Sequence, residues 1–209
     1  MSEVVFGEVD WNAGDVNDGG KTPGGSDFLR LEQGRTKVRI MGNPVQFYIH
    51  WVDTPDGKKR KVNSPISEPK LVRKLDDAGF KRRARWIIKV LDRASGDFKL
   101  LEIGAQIYNG IKALYADEDW GPVTAYDVTI ERGSPGQQPL YRVTPVRPSP
   151  LEASYKEAYL QFNDRIDLTK LTQPADPADV RELMHWQDGG SASAESTAST
   201  DEEFFKFEG

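Results

Sequence analysis

RRARWIIKVLDRASGDFKLLEIG, residues 82–104, is the stretch whose reading decides the fold. A run rich in Trp, Ile and Val reaches Asp92, Ala94-Ser95-Gly96-Asp97 supplies turn chemistry, and the apolar run resumes at Phe98. That pattern predicts two strands joined by a tight turn. Successive side chains on a strand point to opposite faces. Arg83, Arg85, Lys89 and Arg93 therefore share one face, and Ala84, Trp86, Ile88 and Val90 share the other. A cationic stripe thus backs an apolar one.

Upstream, FLRLEQGRTKVRIMG reads as a strand, a turn at Gln33-Gly34 and a second strand through Ile40. On the second strand Arg35, Lys37 and Arg39 alternate with Val38 and Ile40, a second cationic stripe without an acid of its own. VQFYIHWVD is β-branched and aromatic and stops at the turn signal TPDG. KKRKVNSPISEPK is basic, broken by proline and expected to be irregular, while LVRKLDDAG fits a short helix ended by Gly79. Downstream, Ile107, Ile111 and Leu114 lie on one stripe of a helix between Ile103 and Tyr115. AYDVTIERG and LYRVTPV add two strands across SPGQQP, and residues 151–187 are helical in pattern. The expected fold is mainly β with added helices: an OB-fold, a five-stranded Greek-key barrel, with C-terminal helices and disordered termini. The organisation expected is a flexible arm over 1–27, the OB domain over 28–150, a helical extension over 151–187 and a flexible acidic tail over 188–209.

Composition narrows the chemistry. The 209 residues carry a net charge of −5, but the average hides segregation. Between Arg35 and Lys99 lie 17 of the 28 Lys/Arg and only 7 of the 33 Asp/Glu. That asymmetry suits a polyanion-binding surface with acidic extensions. With no cysteine, disulfides and thiolate zinc sites are excluded, and His50 and His185 are too far apart for a local metal motif. No metal or cofactor is expected. There is no apolar run of membrane-spanning length and no signal-peptide pattern at MSEVVFGEVD, so an intracellular protein without a membrane partner is expected. Walker, nucleophile-elbow and HExxH motifs are missing, and the acids of DEDW, residues 117–120, sit in a turn where carboxylates are commonly just solvated. The chain is not expected to be an enzyme.

Cations interleaved with aromatic rings are what sequence-tolerant single-strand binding needs, because phosphates take the charge and each base offers a face for stacking. The candidate phosphate contacts are Arg35, Lys37, Arg39, Arg83, Arg85 and Lys89, and the candidate stacking residues Tyr48, His50, Trp51 and Trp86. The KKRK run at 58–61, with Lys59 and Arg60, is a loop able to close over the strand. An OB-type RNA-binding protein and a protein-interaction adaptor are the alternatives.

The ordered set Val90–Arg93, Leu100–Ile103, Gly104–Ile107, Trp120-Gly121 and Tyr126-Asp127, preceded by FLRLEQGRTKVRIMG and VQFYIHW and followed by LYRVTP, resembles the single-stranded-DNA-binding proteins of tailed bacteriophages. The resemblance spans roughly residues 28–146. It implies an OB-fold that coats single strands during phage replication, recombination and repair in the host bacterial cytoplasm. It also implies an acidic C-terminal tail that contacts phage or host replication proteins. Asp201, Glu202, Glu203, Phe204, Phe205 and Phe207 match that tail. A monomer in solution is expected. Two departures stand out: without cysteine, residues 53–80 cannot hold the zinc ribbon some members carry, and the N-terminal arm is acidic where some members have a basic one.

Overall fold

A computed structural model of the protein describes residues 27–186. The elements are β1 (Gly34–Ile40), β2 (Val45–Asp53), β3 (Lys59–Asn63), α1 (Pro69–Asp77), β4 (Arg83–Asp92), β5 (Phe98–Ile103), α2 (Ala105–Ala116), β6 (Asp127–Arg132), β7 (Tyr141–Pro145), α3 (Tyr155–Arg165), α4 (Leu168–Leu171) and α5 (Pro177–Leu183). The strand pair of residues 82–104 is β4 and β5, antiparallel with Ile88 opposite Leu101. The strands form one antiparallel sheet in the order β3-β2-β4-β1-β6-β7, with β5 on the other edge of β4.

β4 organises the sheet. Its first half pairs with β2, Ile87 opposite Val45, and its second half pairs with β1 on the same edge, Val90 opposite Ile40. β1 and β2 therefore act as one long bent strand interrupted at Gly42-Asn43-Pro44, where Pro44 has no N–H to give the ladder. Past the bend the two halves diverge, β1 to pair with β6 and β2 to pair with β3. β1, β4, β5, β6 and β7, with α2 between β5 and β6, make an OB-like arrangement. The sheet is open and has seven strands, two more than the five of the expected Greek-key barrel.

Two expectations fail locally. KKRKVNSPISEPK contains the regular strand β3, because the Thr54–Gly57 turn brings it back against the edge of β2 and Val62 is buried there. FLRLEQ forms no strand; Phe28 makes a single parallel bridge with Leu100, and Arg132 donates to the Leu31 carbonyl.

Apolar residues on both faces of the sheet are covered. The inner face contributes Val38, Ile40, Ile88, Val90, Leu101, Ile103, Val128 and Ile130 to a core closed by Ile107, Ile111 and Leu114 of α2. On the outer face Phe47, Ile49, Ile87, Leu91, Phe98 and Leu100 pack against Phe162 and Ile166 from the C-terminal helices. A third cluster joins Val52 and Val62 to Leu71, Val72 and Leu75 of α1 and to Val180 and Met184 of the α5 region. At roughly 1.5–3 kcal/mol per fully buried large aliphatic side chain, these contacts make the helical extension part of the folded body. Residues 1–26 of the N-terminal arm, residue 187 of the helical extension and the whole tail over 188–209 lie outside the described residues. Among the described residues, no helix is long and apolar enough to cross a membrane, and no cluster of His, Asp or Glu could hold a metal ion.

Candidate nucleic-acid interface

The outer face carries every member of both cationic stripes, as alternation requires: Arg35, Lys37 and Arg39 on β1, Arg83, Arg85 and Lys89 on β4. The fold treats them very differently. Arg39 is 2% exposed; its Nε donates to Asp127 Oδ1 at 2.6 Å and its Nη2 to the Ser149 carbonyl at 3.0 Å. Register places Asp127 directly across from Arg39 and Glu131 across from Arg35. Arg93 also donates to Asp127, and Lys37 lies 3.5 Å from it. Arg39 is therefore a structural residue and not a phosphate contact. Burial alone would raise the Asp127 pKa, but hydrogen bonds from Arg93 and Arg39 outweigh it and hold the carboxyl below its ordinary value. Arg35 and Lys37 remain exposed, each beside a β6 acid.

Lys89 is captured in a different way. Its ammonium donates to Asn163 Oδ1 at 2.9 Å and to the Ile166 carbonyl at 3.2 Å. Burial depresses its pKa, and Asp167 and Asp164 only partly oppose the shift. The helices that hold it also cover Ile87 and Leu91. The outer face is consequently interrupted, and the cations of the two stripes that remain accessible fall at its two ends.

The aromatic candidates divide as well. His50 is fully buried, with Nδ1 2.6 Å from the Phe80 carbonyl and Nε2 3.0 Å from Ser64 Oγ. Trp86 belongs to the inner core, stacked on Tyr108 with ring centroids 4.0 Å apart and an interplanar angle of 7°. Neither offers a face to a base. Arg60 pairs with Asp56 at 3.9 Å and sits opposite Val52, on the side of the sheet away from Lys59. Trp51 is half-buried on the outer face, and Tyr48 is exposed on the inner one.

What does come together is the end of the outer face where β2, β3, β4 and β5 meet. Trp51 sits opposite Lys61 on β3, and Arg83 opposite Ile49 on β2. Lys59 and Lys61 share this face, a consequence of the basic run being strand from Lys59 onward. Glu102 of β5 holds Lys61 Nζ at 2.6 Å and lies 3.9 Å from Arg85 Nε. Arg85 reaches this position because residue 104 is glycine; an added Cβ would stand 2.7 Å from Arg85 Nη1. Arg83 is exposed and forms no ion pair or hydrogen bond among the described residues. Lys59 is 3.7 Å from Asp53, both well exposed, an ion pair worth about 0–1 kcal/mol that an incoming phosphate can replace. The chemistry of this corner is cationic, with one indole and two carboxylates: Glu102, which keeps Lys61 and Arg85 in place, and Asp53 beside Lys59.

The chain is similar to a phage protein. It is 26% identical over 149 residues to the "Probable ssDNA-binding protein" of Escherichia phage T5, covering 59% of this chain and 58% of that relative. The chain thus spans less than two thirds of the length of the relative it matches. No family model matches. The likeness agrees with the phage resemblance carried by the ordered motifs from Val90 to Asp127.

Lys61, Glu102 and Asn63, whose side chain donates to the Gln173 carbonyl at 2.8 Å, are members of this corner that sequence reasoning missed. The signal was present in the alternation of Lys59, Lys61 and Asn63, but it is readable only once that run is known to be a strand. Asp201, Glu202, Glu203, Phe204, Phe205 and Phe207 lie outside the described residues.

Proposed function

We propose that this chain is a non-enzymatic protein that binds single-stranded DNA with little sequence preference. It would coat and protect strands during phage replication, recombination and repair in the bacterial cytoplasm. The observation that carries this reading is the outer-face corner that sets Trp51 opposite Lys61 and brings Lys59, Arg83 and Arg85 onto the same face. Phosphates would engage the cations and a base would stack on the exposed part of the indole, the combination that makes binding strong, salt-sensitive and tolerant of sequence. The relative's printed name supports the same ligand. Arg35 and Lys37, further along the same face, would prolong the contact beyond the helices. Glu102 positions Lys61 and Arg85 while repelling phosphate, so Glu102→Gln should tighten binding at low salt.

The acidic, phenylalanine-bearing tail at 201–207 would recruit replication proteins, and the protein would act as a monomer. Titration of the intrinsic tryptophan fluorescence with oligo-dT, with the matched RNA and with duplex DNA tests the function. Quenching by oligo-dT at lower concentration than by RNA or duplex is expected. A stronger response to RNA than to oligo-dT would favour an RNA-binding role, since only RNA offers the 2′-hydroxyl. No response together with no anisotropy change on labelled oligo-dT would leave the chain as an interaction adaptor and overturn the proposal.

A further inference from the structure

The cations with the least compensation lie around the start of β4 and along α1. Lys70, Arg73, Lys74, Lys81, Arg82 and Arg83 crowd a segment whose acids are Glu68, Asp76 and Asp77. Glu68 is already paired with Arg181. Asp76 Oδ1 accepts the Arg82 backbone N–H at 2.8 Å, and the Asp76 carbonyl accepts from Lys81 Nζ. Lys74 lies 4.3 Å above the Trp186 ring. Among the described residues, neither Arg73 nor Arg82 is within ion-pair distance of a carboxylate. Elsewhere in the sheet most cations lie within ion-pair distance of a carboxylate.

An aromatic platform stands beside these charges. Tyr48 is 37% exposed, its hydroxyl accepts from Gln46 Nε2 at 3.1 Å, and the Arg82 guanidinium lies 5.0 Å from its ring centroid. Next to it, Ile66, Pro69, Val72, Arg73, Asp76 and Arg82 line an open groove of about 280 Å³, and Ile66 is 48% exposed at its edge. Arg82 contacts Tyr48 on the inner side of the sheet, while Arg83, one residue later, points to the outer side. A polyanion leaving the outer-face corner at Arg83 therefore meets Arg82 and Tyr48 on rounding the end of β4.

We propose that this groove is a second station for single-stranded DNA, in which a base stacks against the Tyr48–Arg82 pair and Ile66 and the flanking phosphates engage Arg73 and Arg82. The inference rests on the single-strand-binding reading. It assigns the path of the strand: over the lip of β4 towards α1, not along β4 beneath the C-terminal helices.

Anisotropy measurements on the full chain with labelled dT oligonucleotides of about 6 and about 20 residues, bracketing the span of one OB module, test it. Tyr48→Ala and Arg82→Gln should each weaken binding of the longer oligonucleotide about tenfold, the stacking loss typical of one base. Binding of the shorter one should stay within about twofold, because the outer-face corner alone accommodates it. Tyr48→Phe, which keeps the ring, should retain wild-type affinity. Arg73→Gln should lower the salt slope on the longer oligonucleotide by about 0.7. If these variants bind the longer oligonucleotide like wild type while Arg83→Ala/Arg85→Ala weakens both lengths, the second station is wrong and the function stands. If the wild type binds neither length, both fall. Amide shifts at Ile66, Val72 and Arg73 caused by a 200–209 peptide and not by oligonucleotide would overturn the station in favour of an acidic-peptide site.

Discussion

The two ends of the outer face look alike in sequence and behave differently in the fold. On β1 the stripe Arg35, Lys37, Arg39 meets Glu131 and Asp127 arriving from β6 in register, and the innermost arginine is buried in charge-assisted hydrogen bonds. At the start of β4 the stripe has no acidic strand beside it. β2 presents Ile49 and Phe47 opposite Arg83 and Arg85, leaving Glu102 of β5 as the near carboxylate. Positive charge is thus spent on cohesion at one end and left available at the other. What separates a structural cation from a binding one is the strand that pairs with it, not its own spacing.

The largest effect that would sharpen this contrast is on stability. Asp127→Asn leaves Arg39 buried beside a neutral partner and should cost about 3–5 kcal/mol in denaturant unfolding, the range for breaking a buried pair. A loss near 1 kcal/mol would mean the β1 end is as loosely held as the β4 end. Acid should expose the same dependence. Burial raises the pKa of Asp92, but hydrogen bonds from Ala94, Lys99 and Ser95 outweigh it, and Asp127 is lowered similarly by its arginines. Both carboxyls are more acidic folded than unfolded. The stability they contribute is complete above the unfolded value of about 3.9 and is lost as pH falls through the lower folded values. Melting temperature should therefore drop steeply below about pH 4 in the wild type and less steeply in Asp127→Asn.

Binding should show the reverse contrast. Arg83→Ala/Arg85→Ala should weaken oligo-dT binding and make the salt slope shallower by about 0.7 per lost contact, with stability within about 0.5 kcal/mol. Arg35→Ala/Lys37→Ala should move the slope less, since a neighbouring acid already offsets each charge; an equal or larger effect would break the comparison. Subtler still is Gly104→Ala. The displaced atom is the end of a flexible side chain, so the clash itself costs little, but Gly104 is also the N-cap of α2, where alanine costs about 0.5–1 kcal/mol, and Arg85 must leave its place beside Glu102. A modest loss of affinity with only a small fall in melting temperature is the expected outcome, and unaltered affinity would remove Arg85 from the interface.

The strands of residues 82–104, α2, β6 and β7 were legible because each has a clear period bounded by turn residues. β3 was not, since a short basic run with proline close behind has weak strand propensity of its own, and the edge of β2 supplies the partner that makes it regular. The site was legible in its ingredients and not in its assembly. Trp51, Arg83 and Arg85 could be named from alternation, and Lys59 only from the basic run at 58–61. Nothing local indicated that His50 would bond Phe80 and Ser64 within the fold, that Trp86 would stack on Tyr108, or that Lys89 would be taken by Asn163.

By itself the sequence determined which residues could share a face, because alternation along a strand is a property of the backbone, and it determined where positive charge is concentrated, because composition is additive. Only the tertiary structure decided which cations were left for a partner. Neutralisation depends on acids tens of residues away, brought opposite by strand register or laid over the sheet by α3 and α4, and no local pattern encodes that pairing.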